Sequence, residues 1–281
     1  MPLSFTKMQA CGNDFIVIDD RAGNWAGKES ALAERLCHRR FAIGADGLLV
    51  LRNGSAPDRF GMVFVNADGL IGEMCGNGAR CLAAFIRRSV LSPAQTALQL
   101  STPAGAVQVR FADERIVLDL PPAGALRSDI VINWQGAAWH FDAIDIGVPH
   151  AVCFVADRTA LAAAPLAELG AYVRHHDAFA PRGVNVNFIA FDAGRLHLRT
   201  YERGVEAETL GCGTGATAAA LLAHARFGLP SPVTVQTSSG EAVTIRFGEE
   251  RGVLQLEGGA HFVADGVLDD GVLGGLIAAS S

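Results

Sequence analysis

Cys75-Gly76-Asn77-Gly78-Ala79 returns in the second half of the chain as Cys212-Gly213-Thr214-Gly215-Ala216. Each copy runs into small and apolar residues with helical character, Arg80-Cys81-Leu82-Ala83-Ala84-Phe85 in one half and Thr217-Ala218-Ala219-Ala220-Leu221-Leu222 in the other. A cysteine held by a glycine turn at a helix start lies beside exposed N–H groups and the positive end of the helix dipole, which stabilise a thiolate. Two such cysteines, placed equivalently in two similar halves, predict one active site with a thiol on each side.

The repeat is wider than these pentapeptides. Val109–Leu120 reads VRFADERIVLDL, and Ile245–Leu256 reads IRFGEERGVLQL at nearly the same offset as the cysteines. A matching hairpin precedes each, Leu98–Gly105 and Val233–Gly240. Self-similarity at half the chain length indicates a duplicated domain, since a solenoid would repeat at a shorter period. The expected fold class is α+β, each half being mostly strands plus one long helix opened by its cysteine. Strands are expected at Phe15–Asp19, Gly47–Leu51, Phe60–Asn66, Ala151–Val155, Asn185–Phe191 and Leu196–Thr200. The runs Leu98–Leu120 and Val233–Glu257 also read as strands. Helices are expected at Glu29–Arg40, from Cys75 to Val90, at Thr159–Tyr172 and from Cys212 to Phe227. Pro121-Pro122-Ala123-Gly124 is the linker candidate, because paired prolines break ladders and helices alike. The domains are therefore expected at 1–121 and 122–264, with the tail 265–281 packing back on the first.

Composition narrows the function. The chain has 281 residues, half of them hydrophobic, and a net charge of −6. That suits two domains and argues against a nucleic-acid partner, which usually meets a basic face. No apolar run reaches the ~18 residues of a membrane span, and the start Met1-Pro2-Leu3-Ser4-Phe5 lacks a signal-peptide core, so a cytoplasmic location is expected. The six cysteines at 11, 37, 75, 81, 153 and 212 show no Cys-x-x-Cys pair, which predicts free thiols and no metal site. Cys11, Cys37, Cys81 and Cys153 read as structural. His175-His176 lacks a third ligand nearby and reads as a surface pair.

A thiolate beside backbone N–H groups could attack a carbonyl, exchange disulfides or take a proton from carbon. Acyl transfer gives no reason for a symmetric second thiol. Two thiols facing one carbon from opposite sides suit racemisation, in which one removes Hα and the other returns a proton. The flanking glycines let N–H groups approach a carboxylate and stabilise its enediolate-like charge. No lysine-anchored cofactor motif is evident, so no cofactor is expected.

Several motifs together now resemble one family. Gly12-Asn13-Asp14-Phe15, Asn66-Ala67-Asp68-Gly69 ahead of Cys75-Gly-Asn-Gly-Ala-Arg-Cys81, and Glu202-Arg203-Gly204 ahead of Cys212-Gly-Thr-Gly-Ala216 are similar to the diaminopimelate epimerases. The resemblance runs in order from Lys7-Met8 to about Glu257. It implies two pseudo-symmetric domains, each a curved, mainly antiparallel sheet around a central helix. It also implies PLP-independent interconversion of LL- and meso-diaminopimelate, in lysine and peptidoglycan precursor biosynthesis. The partner it implies is a small-molecule amino-acid substrate, with a homodimer admissible. By motif, Cys75 and Cys212 are the acid–base pair, and His150 and Glu202 polarise them. Gly76, Asn77, Gly213 and Thr214 supply N–H donors to the reacting carboxylate. Asn13, Asn66, Asn185, Glu202 and Arg203 match substrate-binding positions, with Asn66, Asn185 and Arg203 at the distal end. The sequence departs from the family pattern at Gly47, where some members carry a substrate-binding Gln, and at Val148, where some carry a substrate-binding Asn. Ala10-Cys11 and Ala207 are further departures. A proline-racemase-like enzyme would carry His at Asn77 and a different lead-in to Cys212. A thiol redox sensor or a silent binding protein on the same scaffold would not need the acidic residue and the histidine.

Overall fold

The computed structural model of the chain describes residues 3–72, 74–248 and 254–273. It divides into two compact units, Met1–Leu118 with Gly259–Ser281, and Asp119–Gly258. The first carries β1 (Leu3–Ala10), β2 (Asn13–Asp19), β3 (Gly47–Asn53), β4 (Arg59–Asn66), β5 (Ile71–Gly72), β6 (Ala97–Thr102), β7 (Gly105–Ala112) and β8 (Arg115–Asp119). Its helices are α1 (Glu29–Leu36) and α2 (Gly76–Ser89). The second carries β9 (Arg127–Trp134), β10 (Ala137–Asp145), β11 (Pro149–Phe154), β12 (Asn185–Asp192), β13 (Arg195–Glu202), β14 (Ala207–Thr209), β15 (Val233–Gln236), β16 (Ala242–Phe247) and β17 (Leu254–Gly258). Its helices are α3 (Arg158–Ala163), α4 (Leu166–Arg174) and α5 (Gly213–Phe227). The strand β18 (His261–Leu268) then returns to the first unit, antiparallel to β1. The boundary expected between 264 and 265 therefore falls inside a strand.

The pairing pattern of one unit repeats in the other. β1–β2 is antiparallel, β2–β3 parallel, β3–β4 antiparallel, β4–β6 parallel, and β6–β7 and β7–β8 antiparallel. β10–β11, β11–β12, β12–β13, β13–β15, β15–β16 and β16–β17 follow the same sequence of senses. β9 flanks β10 as β18 flanks β1. The duplication expected from the cysteine turns and hairpins is thus a duplication of topology.

The inner strands of each unit are covered on both faces, so they read as continuous apolar runs. Phe15, Ile16, Val17 and Ile18 of β2 are all fully buried. Ile16 and Ile18 join Leu48, Val50 and Val65 under Leu32 and Leu36 of α1, while α2 packs against β1, β2, β3, β4 and β6. In the second unit Ala151, Cys153, Val186 and Phe188 pack under Leu161 of α3 and Leu166, Leu169 and Val173 of α4. α5 lies against β10, β11, β12, β13, β15 and β16. Burial pushes the Cys37 and Cys153 thiols up to about 12, the behaviour of structural cysteines.

Two helices differ from the sequence expectation. The helix expected at Glu29–Arg40 stops at Leu36, because His38 Nδ1 accepts the N–H groups of Arg40 and Phe41 at 3.2 and 3.3 Å. Thr159–Tyr172 is two helices rather than one. Asp157 caps α3 by accepting from Ala160 N–H at 2.8 Å, and Pro165, which has no N–H to donate, separates α3 from α4.

Phe188 makes edge-to-face contacts with Trp139 and Phe141 at centroid distances of 5.7 and 6.1 Å. Phe188→Ala should lower unfolding stability by about 3–5 kcal/mol in urea titration. Phe191→Ala on the same strand, half exposed, should change it by less than about 0.5 kcal/mol.

Candidate active site

Both central helices open on their cysteine. Cys75 is the N-cap of α2, in extended conformation at φ −134° and ψ 114°, and its Sγ accepts the Gly78 N–H at 3.4 Å. Cys212 caps α5 at φ −115° and ψ 113°, and its Sγ accepts the Gly215 N–H, also at 3.4 Å. The first intrahelical bonds run from Ala79 and Ala216 to the carbonyls of Cys75 and Cys212. The N–H groups of Gly76, Asn77, Gly213 and Thr214 therefore precede the helical ladder, at the turn where a helix binds anions. The second glycine of each turn is crowded by a side chain from the strand beneath. A Cβ on Gly78 would lie 3.0 Å from Leu49 Cδ2 of β3, and one on Gly215 would lie 2.5 Å from Asn187 Oδ1 of β12. Cys75 is half-buried and Cys212 is buried.

In the first unit the Cys75 thiol donates to Asn13 Oδ1 at 3.6 Å. Asn13 Nδ2 donates to Asp46 at 2.7 Å. Asp46 and Asp14 are tied to each other through backbone N–H groups and share Arg39, whose guanidinium reaches Asp14 Oδ1 at 2.6 Å and Asp46 Oδ1 at 2.7 Å. Lys7 adds a bond to Asp14 at 2.6 Å. Burial alone would raise the Asp14 carboxyl. Hydrogen bonds and charge from Arg39 and Lys7 outweigh it and hold the group at about 2. The loop carrying Asn13 is thus fixed by an ion cluster invisible in the motif.

Asn66 closes its own turn, donating from Nδ2 to Leu70 O at 3.2 Å. Its cross-strand partner is Gly47, where a Cβ would lie 2.6 Å from Phe64 Cε2. Phe64 fills the space beside Asn66 that a side chain at 47 would need. Asn77 is buried and turned inward, its Oδ1 accepting from Arg80 Nη2 at 2.8 Å. Arg80 is fully buried and also bonds Gly259 O at 3.0 Å and Cys11 Sγ at 3.3 Å.

In the second unit Asn185 is buried. Its Oδ1 accepts the Arg203 backbone N–H at 2.8 Å and its Nδ2 donates to Pro149 O at 3.3 Å. It therefore holds the Glu202-Arg203 turn. Glu202 Oε2 accepts from Thr209 at 2.8 Å, and Arg203 Nη1 reaches Arg182 O at 3.4 Å. The Cys212 sulfur also meets Thr214 Oγ1 at 3.5 Å. His150 is completely buried, and burial first, then the Arg203 charge, lowers its imidazole to about 3. Its Nδ1 faces Asn187 Nδ2 at 3.2 Å, and Nε2 has no hydrogen-bond partner among the described residues. The ring is thus neutral and bonded to an amide rather than to a thiol. Asn187, missed in the sequence because it continues an ordinary strand, is the residue that meets both His150 and the Cys212 turn. His175 approaches Glu206 at 3.6 Å, while His176 caps the turn at Asp177–Phe179.

Two units of matching strand topology, each built on a central helix, make a fold known from solved proteins. A Bacillus anthracis phenazine biosynthesis protein of the PhzF family superposes with a TM-score of 0.76 at 13% identity, covering 96% of this chain and 99% of that one. A hydroxyproline epimerase from Agrobacterium vitis superposes with a TM-score of 0.69 at 18% identity, covering 95% and 91%. These likenesses show the fold, which is that of the PhzF and proline-racemase-like structures. Sequence goes further. The family profile described as Diaminopimelate epimerase matches residues 5–122 and 142–263. Diaminopimelate epimerases of Chlorobaculum tepidum and Aquifex aeolicus are 38% and 36% identical, over 93% and 96% of this chain and 99% of each relative. The chain belongs to the diaminopimelate epimerase family. No helix among the described residues is long and apolar enough to cross a membrane.

The Asp14 cluster makes a signed prediction. A carboxyl held at about 2 when folded, against 3.8 in the free side chain, stabilises the fold fully above pH ~3.8 and loses that contribution as pH falls toward ~2. Urea midpoints of wild type and Asp14→Asn should differ near neutrality, draw together below pH ~3.8 and converge at about pH 2 and below. A gap that widens on acidification would contradict the assignment.

Proposed function

We propose that this chain is an isomerase that interconverts LL- and meso-diaminopimelate, with Cys75 and Cys212 as its two acid–base groups. The observation that carries this reading is the duplicated cap: in each half a cysteine sulfur accepts an N–H from the third helical residue at 3.4 Å. That setting favours the thiolate, because the helix N-terminus presents positive potential to the sulfur.

The reaction needs one base and one acid. One thiolate takes Hα, so that the C–H bond breaks, an S–H bond forms, and the electron pair moves into the substrate carboxylate as an enediolate. The other thiol then delivers its proton to the opposite face of the carbon. The N–H groups of Gly76 and Asn77, and of Gly213 and Thr214, meet the growing charge on the carboxylate. Glu202 adjusts the thiols, His150 serves as a neutral ring, and Asn13 bonds the Cys75 sulfur directly. Arg203 offers a planar fork to the distal carboxylate, with its backbone held by Asn185. Asn66 completes the distal contacts. A reducing cytoplasm suits this chemistry, since it keeps both thiols free.

Cys75→Ala and Cys212→Ala should each reduce epimerisation by at least about 10²–10⁴-fold, the usual weight of a positioned acid or base. The measurement is conversion of LL- to meso-diaminopimelate by chiral chromatography, in both directions. Either variant turning over normally in both directions would sink the two-thiol reading. Lysine, which lacks the distal carboxylate, should be a poor substrate, because the Arg203 fork would be left unpaired. Lysine turned over as efficiently as diaminopimelate would move the protein to a broad racemase.

A further inference from the structure

The duplicated fold supplies an internal control for the buried histidine. His150 stands opposite Asn185 in the parallel β11–β12 register, as Phe15 stands opposite Gly47 in β2–β3. Asn187 stands opposite Thr200, as Leu49 stands opposite Phe64. The match is anchored by the glycines of the two thiol turns, since Leu49 crowds Gly78 and Asn187 crowds Gly215. In the first unit this position is apolar, with Phe15 edge-on to Phe64 at 6.0 Å. In the second unit the same place holds His150, Asn187 and Thr200, each at most 1% exposed. The scaffold therefore packs without a polar network here, and the network in the second half calls for a role besides packing.

Its hydrogen bonds have one consistent arrangement. Asn187 Nδ2 lies 3.0 Å from Ala151 O and 3.3 Å from Asn185 O, while Asn187 Oδ1 accepts from Thr200 Oγ1 at 2.9 Å. Exchanging the amide's oxygen and nitrogen would set an oxygen against two carbonyls, so the donor side must face them. That same nitrogen sits 3.2 Å from His150 Nδ1. The two hydrogens of this amide are shared among three acceptors, and the nitrogen itself accepts nothing, so an Nδ1–H would face no acceptor: Nδ1 is the accepting side and the ring proton sits on Nε2. Nε2 is the atom without a partner among the described residues, and a buried donor left unpaired is costly.

We propose that Asn187 is a positioning residue that locks His150 as its Nε2–H tautomer, so that the ring offers a hydrogen-bond donor to negative charge in the reaction rather than a base for a thiol proton. The functional half of this inference rests on the epimerase reading above. The tautomer itself does not. The amide's place against Gly215 also ties the ring to the Cys212 turn, so one side chain sets both groups.

The test is ¹⁵N–¹H NMR of histidine-labelled enzyme, with kinetics alongside. Wild-type His150 should show a protonated Nε2 and an unprotonated Nδ1. Asn187→Asp, whose carboxylate accepts, should invert the tautomer to Nδ1–H and lower kcat by about 10–100-fold with little change in KM, as for a lost positioning contact. Asn187→Leu copies Leu49 of the first unit and removes the amide, with folding checked in the same spectra. It should release the lock and give a mixed tautomer with a similar fall in kcat. Wild-type His150 found as Nδ1–H, or an inverted tautomer with unchanged kcat, would overturn the proposal. Full activity of His150→Ala would instead remove the histidine from the reaction and leave the tautomer result standing.

Discussion

A helix packed inside a sheet can meet solvent and ligand only at its ends, and the first N–H groups of each central helix need acceptors there. One of those acceptors, in both halves, is a cysteine sulfur. The bond from Gly78 to Cys75 and its copy from Gly215 to Cys212 fix each sulfur over the helix N-terminus. Side chains of the strands beneath, Leu49 and Asn187, crowd the donor residue. The rest of each half follows from burying that helix. Strands covered on both faces are apolar throughout, and the loops at the helix N-terminus bear the polar groups.

The halves share a fold and have diverged in chemistry. The first fixes its Asn13 loop with an exposed-to-half-buried ion cluster of Lys7, Asp14, Arg39 and Asp46. The second fixes His150 with neutral hydrogen bonds in a fully buried place. Charge at the first site tolerates partial exposure because two cations meet two carboxylates. At the second, burial keeps the imidazole uncharged, and an amide does the orienting. A pseudo-symmetric scaffold thus presents two equal sulfurs in unequal surroundings.

Much of this was legible in the residues. The cysteine turns, the hairpins and the small-residue helices recur because the two halves repeat one topology around a closely packed helix. Strands such as Phe15–Asp19 announced themselves by continuous apolar runs. β1, β9, β10 and β18 did not, since each mixes polar and apolar residues without clear punctuation. Pro165 was readable as a break, but the helical pattern on either side masked it. Asn185 was expected to bind substrate, and it anchors Arg203 through the backbone, a contact that no spacing encodes. Asn187 was missed altogether, because one buried amide in an apolar strand carries no periodic signal. Gly47 looked like a lost contact. The structure shows Phe64 in the space a side chain there would need, so the residue at 47 depends on one seventeen positions away in the hairpin.

In the proposed reaction two different thiols handle the proton, one on each face of the carbon. Early-time turnover of LL-diaminopimelate in D₂O tests it most directly. Newly formed meso product should carry deuterium at the inverted carbon while unreacted substrate still carries protium. Product that retains the substrate's own proton, as a single base returning what it removed would give, would contradict it.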